Sequence, residues 1–162
     1  MIRSATVADA HAIANIYNAY IESSIVTFEE ETIEANEMAG RIEKVLGGSL
    51  PWLVLEVDRQ IAGYAYATGW RARRAYRFSV ETSIYLAGEY GGQGLGTELY
   101  LCLLSDLVGC GAHVAIGGIA LPNDASIRLH EKVGFKKVAQ FEQVGFKFGS
   151  WIDVGYWQKL LG

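Results

Sequence analysis

The spacing of apolar residues changes period along this chain, and each change marks an element. Ile13, Ile16, Tyr17 and Tyr20 recur at i, i+3, i+4 and i+7, the stripe of a helix with one buried face. A Thr6-x-x-Asp9 capping pattern precedes it, and residues 2–5 before that read as a short strand. A second helix is expected over 33–46, ended by Gly47-Gly48, with the loop Val26-Thr27-Phe28-Glu29-Glu30 between the two. Strands follow at Trp52–Val57 and 61–68, joined by the turn Asp58-Arg59-Gln60. Over 76–86 the pattern alternates: Phe78, Val80, Thr82, Ile84 and Leu86 face one way, Ser79, Glu81, Ser83 and Tyr85 the other. The stretch 94–109 is apolar on almost every side, which predicts a central helix. Residues 113–121 form an apolar run broken by Gly117 and Gly118, the mark of an internal strand. A helix over 123–133, stopped by Gly134, and antiparallel strands at 136–148 and 152–161 complete the pattern.

Helices and strands interleaved in this order predict a mixed α/β (α+β) sheet protein, a single domain over 1–162. That length is enough for a substantial core. A net charge of −4 argues against a nucleic-acid partner, whose site would be basic, but leaves room for a local positive site. No apolar run approaches the roughly 18 residues of a membrane span, and no signal-peptide pattern is present. A cytoplasmic protein with no membrane partner is expected. Cys102 and Cys110 match no disulfide framework or metal spacing. They are expected to be reduced and largely buried, and no metal is expected.

The first chemistry lies between the alternating strand and the apolar helix, at Gly91-Gly92-Gln93-Gly94-Leu95-Gly96. A glycine-dense turn feeding a helix start leaves backbone N–H groups unpaired and adds the positive end of the helix dipole, which suits a phosphate. Without Cβ atoms the backbone can approach the ligand closely. The order G-x-x-G-x-G is not the dinucleotide fingerprint, and the lysine of a P-loop is absent. Alone, such a turn is equally a tight connection.

A second segment resolves that choice. In Asn123-Asp124-Ala125-Ser126-Ile127-Arg128-Leu129-His130-Glu131-Lys132-Val133-Gly134-Phe135, Asn is followed by Ser three residues on, His seven on, and Gly-Phe at eleven and twelve. This resembles motif B of the GNAT family of acetyl-CoA-dependent N-acetyltransferases, and the 91–96 loop resembles motif A, which holds the pyrophosphate of coenzyme A. The likeness runs from Ile2-Arg3-Ser4-Ala5 to Trp157-Gln158-Lys159-Leu160 and implies the GNAT acyl-CoA N-acyltransferase fold. It implies acetyl-CoA contacts from Gly91, Gly92, Gln93, Gly94, Leu95, Gly96 and Thr97, and from the strand at Ile84, Tyr85 and Leu86. Asn123 and Ser126 are implied at the pantetheine arm, Asn123 serving also as a helix N-cap. In one place the loop departs from the family: Arg or Gln usually opens it, and here Gly91 does. Gln93 is the side chain that could take over.

Acetyl transfer requires an amine to lose its proton, an oxyanion to be stabilised and a thiolate to leave. Glu81, on the strand before the loop and flanked on its face by Ser79 and Ser83, is the candidate base, acting directly or through water. A half-exposed surface carboxylate is the plainer reading. His130 stands where many family members carry a tyrosine that protonates the thiolate. Imidazole could do the same, hydrogen-bond the sulfur, or be structural. His11 and His113 lack such a context. A backbone N–H between Ser83 and Tyr85 is expected to serve the oxyanion.

Arg71, Arg73, Arg74 and Arg77 crowd the segment just before Glu81. Arginine forks bind oxyanions through paired hydrogen bonds, which suggests a small anionic acceptor; a solvated basic loop is the alternative. The pattern R-x-R-x-A-Y-R-F-x-V-E, with Val26-Thr27-Phe28 and Gly145-Phe146-Lys147-Phe148-Gly149-Ser150-Trp151-Ile152-Asp153, resembles the phosphinothricin and methionine sulfone/sulfoximine N-acetyltransferases. That likeness implies the α-amine of a small amino acid as acceptor, and a homodimer. It places Arg71 and Arg73 as anion ligands, Phe28 in the pocket wall and Tyr76 nearby. Two other readings stay open. One is a different amine, a peptide N-terminus or a polyamine, the latter disfavoured by the arginines. The other is a non-catalytic coenzyme-A sensor, favoured by Gly91 and disfavoured by Glu81, His130 and Asn123 together.

Overall fold

A computed structural model describes residues 1–162. The chain runs through β1 (Ile2–Ser4), α1 (Ala10–Ser23), α2 (Ala35–Gly47), β2 (Trp52–Val57), β3 (Gln60–Gly69), β4 (Ser79–Leu86), α3 (Leu95–Gly109), β5 (Val114–Ala120), α4 (Asp124–Lys132), β6 (Lys136–Lys147) and β7 (Ser150–Leu160). The strands form one sheet in the order β1-β2-β3-β4-β5-β7-β6. Every neighbouring pair is antiparallel except β4 and β5, which are parallel.

Local chemistry explains the boundaries. The Asp9 carboxylate accepts from the Thr6 N–H at 2.8 Å and pairs with Arg3 at 2.8 Å, which anchors the approach to α1. Asp58 and Arg59, both at positive φ (49° and 65°), make the two-residue turn from β2 to β3. Asn123 caps α4, its side-chain oxygen accepting from the Ser126 N–H at 3.1 Å.

Alternation along the central strands divides the apolar interior in two. Trp52, Val54 and Tyr64 join Ile13, Tyr17, Ile21, Met38 and Ile42 of α1 and α2 on one face. Leu53, Leu55, Ala65, Ala67 and Val80 join Leu99, Tyr100, Leu103 and Leu107 of α3 on the other. A residue's side of the sheet therefore decides whether it meets α1 and α2 or α3 and α4.

Three expectations are corrected. The strand expected from 76 begins at Ser79, because Arg74–Tyr76 form a 3-10 turn and Phe78 is half exposed. α3 is not enclosed: Leu101 and Val108 stand in solvent, since the helix packs on the sheet with one face only. Cys102 and Cys110 are exposed free thiols rather than buried ones, because they fall on that outer face and at its C-terminal cap.

Candidate active site

The site is built where β4 and β5 part. Their ladder covers Ser79–Glu81 against Val114–Ile116 and goes no further, although β4 continues to Leu86 and β5 to Ala120. Beyond Glu81 the two strands face each other across a gap with no ladder between them. Backbone groups there can pair with an inserted polar chain.

The glycine turn closes one end of this gap. Gly92 and Gly94 sit at φ 73° and 80°, conformations that favour glycine. They bring the chain into α3, whose first N–H groups lack helical partners. A Cβ at Gly96 would lie 3.3 Å from Leu86 Cδ1, so glycine lets α3 start close against β4. Opposite stands α4. Between them lies a cleft of about 650 Å³ lined by Gly91, Gly92, Gly94, Gly96 and Thr97, by Ile84 and Leu86, and by Asn123, Ser126, Arg128 and Lys132. A larger depression, about 770 Å³, lies against α1 beside the Arg3–Asp9–Glu56 ion pairs. It contains neither the glycine turn nor any residue of α4, so the chemistry points to the smaller cleft.

Not every expected cofactor residue turns its side chain to the cleft. Gln93 donates to the Glu89 carbonyl at 3.2 Å and does not line the cleft, so it does not replace the missing opening residue. Leu95 packs against the α3 core. The Tyr85 ring lies on the opposite sheet face among Tyr17, Tyr20 and Tyr64, which leaves only its backbone for the gap.

Glu81 lies on the α1/α2 face, opposite Thr68 on β3 and Ile116 on β5. Burial pushes its carboxyl above the usual carboxylate range, and the nearby Arg71 guanidinium pulls partly against this. Burial, then the neighbouring Glu81, raises the Tyr156 hydroxyl too, and Arg71 opposes that as well. Tyr156 meets the Trp70 ring edge-on at 5.7 Å, and the Arg71 guanidinium stacks on Trp70 at 5.1 Å. Glu81, Arg71, Tyr156 and Trp70 thus form one cluster. Arg73 and Tyr76 are exposed at the neighbouring turn with no side-chain partner, and Arg77 stacks on Phe78.

His130 lies on the other face, nearly fully buried, with Tyr100 and Phe135 edge-on to its ring. Its Nδ1 is 2.8 Å from the Ser126 carbonyl. A carbonyl only accepts, so Nδ1 carries the proton and the neutral ring has a lone pair on Nε2. Burial holds its pKa below the ordinary 6.5. Two consecutive glycines of β5 make room on the two faces. A Cβ at Gly117 would lie 2.6 Å from His130 Nε2, and one at Gly118 would lie 3.1 Å from the Tyr156 ring and 3.6 Å from Glu81 Oε2. Glu81 and His130 therefore stand on opposite sides of the β4–β5 opening rather than together.

Phe28 rests on Gly145 of β6, where any Cβ would overlap its ring. Its loop is held by buried Lys147, whose Nζ donates to the Ser24 and Thr27 carbonyls at 2.8 Å each, and by Arg41, which binds Glu29 at 2.6 and 2.9 Å. Burial depresses the Lys147 pKa. Sequence reasoning missed Tyr156, Trp70 and Lys147 as site residues. Tyr156 is distant from β4 in the chain and is brought to the site by the pairing of β7 with Gly118 of β5. The aromatic flank of the arginine run was a signal for Trp70. For Lys147, a cation set between Phe146 and Phe148 was the available signal.

A strand gap, a glycine-framed helix start and a half-buried carboxyl beside that gap define a protein that binds an acyl thioester and acts on its acyl group. The chain belongs to the GNAT acetyltransferase family: the acetyltransferase (GNAT) domain profile matches residues 2–155. It is an acetyl-CoA-dependent N-acetyltransferase. It is 42% identical to a phosphinothricin N-acetyltransferase of Streptomyces viridochromogenes, over 98% of this chain and 86% of that protein. It is 39% identical to an L-methionine sulfoximine/L-methionine sulfone acetyltransferase of Salmonella typhimurium, over 97% and 92%. A solved GNAT phosphinothricin acetyltransferase (Pat) of Sinorhizobium meliloti in complex with AcCoA superposes with a TM-score of 0.97 at 36% identity, covering 100% of this chain and 88% of that one.

Proposed function

We propose that this acetyltransferase transfers the acetyl group of acetyl-CoA to the α-amine of a small amino-acid-like acceptor of the phosphinothricin, methionine sulfone or methionine sulfoximine type. The observation that carries this reading is the cluster of Glu81, Arg71 and Tyr156 beside the β4–β5 gap. It sets a carboxyl with raised proton affinity next to a cation suited to an anionic acceptor. The relatives named for such acceptors support it.

In this scheme the pantetheine arm enters the gap, and its amides pair with the backbone of β4. The glycine turn and the start of α3 hold the pyrophosphate. Arg71 binds the acceptor's carboxylate or distal oxyanion, Arg73 joins it when acceptor is bound, and Tyr76 and Phe28 border the same pocket. Glu81 takes the ammonium proton, directly or through water. The freed amine attacks the thioester carbonyl, whose oxygen becomes an oxyanion held by a backbone N–H of β4. Collapse breaks the C–S bond and leaves the amide. The departing thiolate takes the proton that the acceptor nitrogen carries in the intermediate. His130, with its proton committed to the Ser126 carbonyl, fits a positioning role under Gly117 better than that of an acid.

The chain works in the cytoplasm in this reading, where acetyl-CoA is at hand and its two free thiols stay reduced. Two copies associate through β6 and β7. The test is free-thiol release from acetyl-CoA over a panel of methionine sulfone, methionine sulfoximine, phosphinothricin, the standard amino acids, spermidine and a peptide N-terminus. Turnover on the first three is the expected result. Turnover on spermidine or the peptide alone overturns the acceptor assignment.

A further inference from the structure

Coenzyme A carries a pyrophosphate and a ribose 3′-phosphate, yet the loop that meets it has no side-chain cation. Residues 88–97 read Gly-Glu-Tyr-Gly-Gly-Gln-Gly-Leu-Gly-Thr, and the one charged side chain among them is the acidic Glu89. Gln93 is turned back onto the Glu89 carbonyl. Positive charge reaches the cleft from the opposite wall instead. Arg128 and Lys132 of α4 both line it and are both exposed. The ion pairs of the chain use only Arg3 and Arg41 as cations, so neither α4 residue has a carboxylate partner. Spaced i,i+4, the two share one helix face, where like charges repel unless an anion lies beside them.

We propose that Arg128 and Lys132 are the side-chain anchors of the coenzyme A phosphates, carrying the charge that the glycine turn lacks. The turn would then supply directed backbone donors and α4 the charge. This rests on acetyl-CoA being the cofactor.

The experiment is calorimetric titration of the full chain with acetyl-CoA, using wild type, Arg128→Gln, Lys132→Gln and the double variant, with circular dichroism to show that each is folded. Each single change should weaken binding roughly tenfold, as expected for one charge-assisted hydrogen bond. The double variant should also show a shallower dependence on salt. Dephospho-CoA tells the two phosphates apart. A variant that no longer distinguishes it from CoA has lost the 3′-phosphate contact, and one that still does has lost the pyrophosphate contact. A rescue closes the test. Gly91 sits at φ −69°, and a Cβ there would meet only the Gly88 carbonyl at 3.6 Å, so Gly91→Arg is sterically allowed. Placed in the double variant, it should recover much of the lost affinity. Unchanged affinity in the folded double variant overturns the inference while leaving the cofactor in place. A wild type that does not bind acetyl-CoA overturns both.

Discussion

At the scale of the residue, Glu81 is balanced between burial, which favours its protonated form, and Arg71, which favours its charged form. A base must be ionised to act. Because its pKa is raised, activity should rise with pH through a value above the ordinary carboxylate range, and the acidic limb of the kcat/KM profile should sit correspondingly high. Glu81→Gln should lower kcat/KM by about 100- to 1,000-fold near neutral pH and by less at high pH, where free amine is abundant. Arg71→Gln removes the opposing cation, so it should move the acidic limb to still higher pH as well as weaken acceptor binding. Steady-state profiles of wild type and both variants check this. A limb that Arg71→Gln leaves in place, or that Glu81→Gln retains, removes Glu81 as the base. Glu81 was legible in the sequence because strand alternation put it on a face of small polar neighbours. Tyr156 was not, since its approach depends on pairing between strands far apart in the chain.

At the scale of the element, β5 does more than fill the sheet. Its Gly117 and Gly118 point to opposite faces, one vacating space for His130, the other for Tyr156 and Glu81. In the sequence the pair was visible only as an interruption of an apolar run. Which side chains needed the space depended on α4 and β7 packing there. Likewise, the 3.6-residue stripe of α1 read correctly, while α3, apolar on nearly all sides, gave no sign of which face solvent would take. Gly117→Ala provides a test of this packing. Its Cβ would come 2.6 Å from an imidazole nitrogen fixed on the other side by Ser126, so the ring has little freedom to yield. A loss of about 1–3 kcal/mol in unfolding free energy is expected from such overpacking, measured by urea denaturation. A variant as stable as wild type would mean that His130 is free to move, and its tautomer would then no longer be set by the Ser126 carbonyl.

At the scale of the whole molecule, the apolar surface is concentrated at one end of the sheet. β6 is an edge strand, and Val144, Phe146, Phe148 and Trp151 around its turn into β7 are each more than half exposed, from 56% to 65%. A long apolar edge left open invites pairing with other chains, and in the proposed dimer a second copy of the same surface would cover it symmetrically. The aromatic content of 145–153 was plain in the sequence, but packing inside the fold explained it equally well until the exposures were known. Through Lys147 and Phe28 this edge is tied to the 24–30 loop, whose Val26 lines the cofactor cleft. Association would therefore steady the acceptor side of the site as well as cover the aromatics. Light scattering coupled to gel filtration should give a dimer for wild type and a monomer for the Phe146→Glu, Trp151→Glu double variant. If the hairpin steadies the Phe28 loop, that monomer should show a several-fold higher KM for the amino acid and an acetyl-CoA affinity close to wild type. A monomeric wild type refutes the dimer. A monomeric variant with an unaltered KM would leave the association intact and sever it from the chemistry.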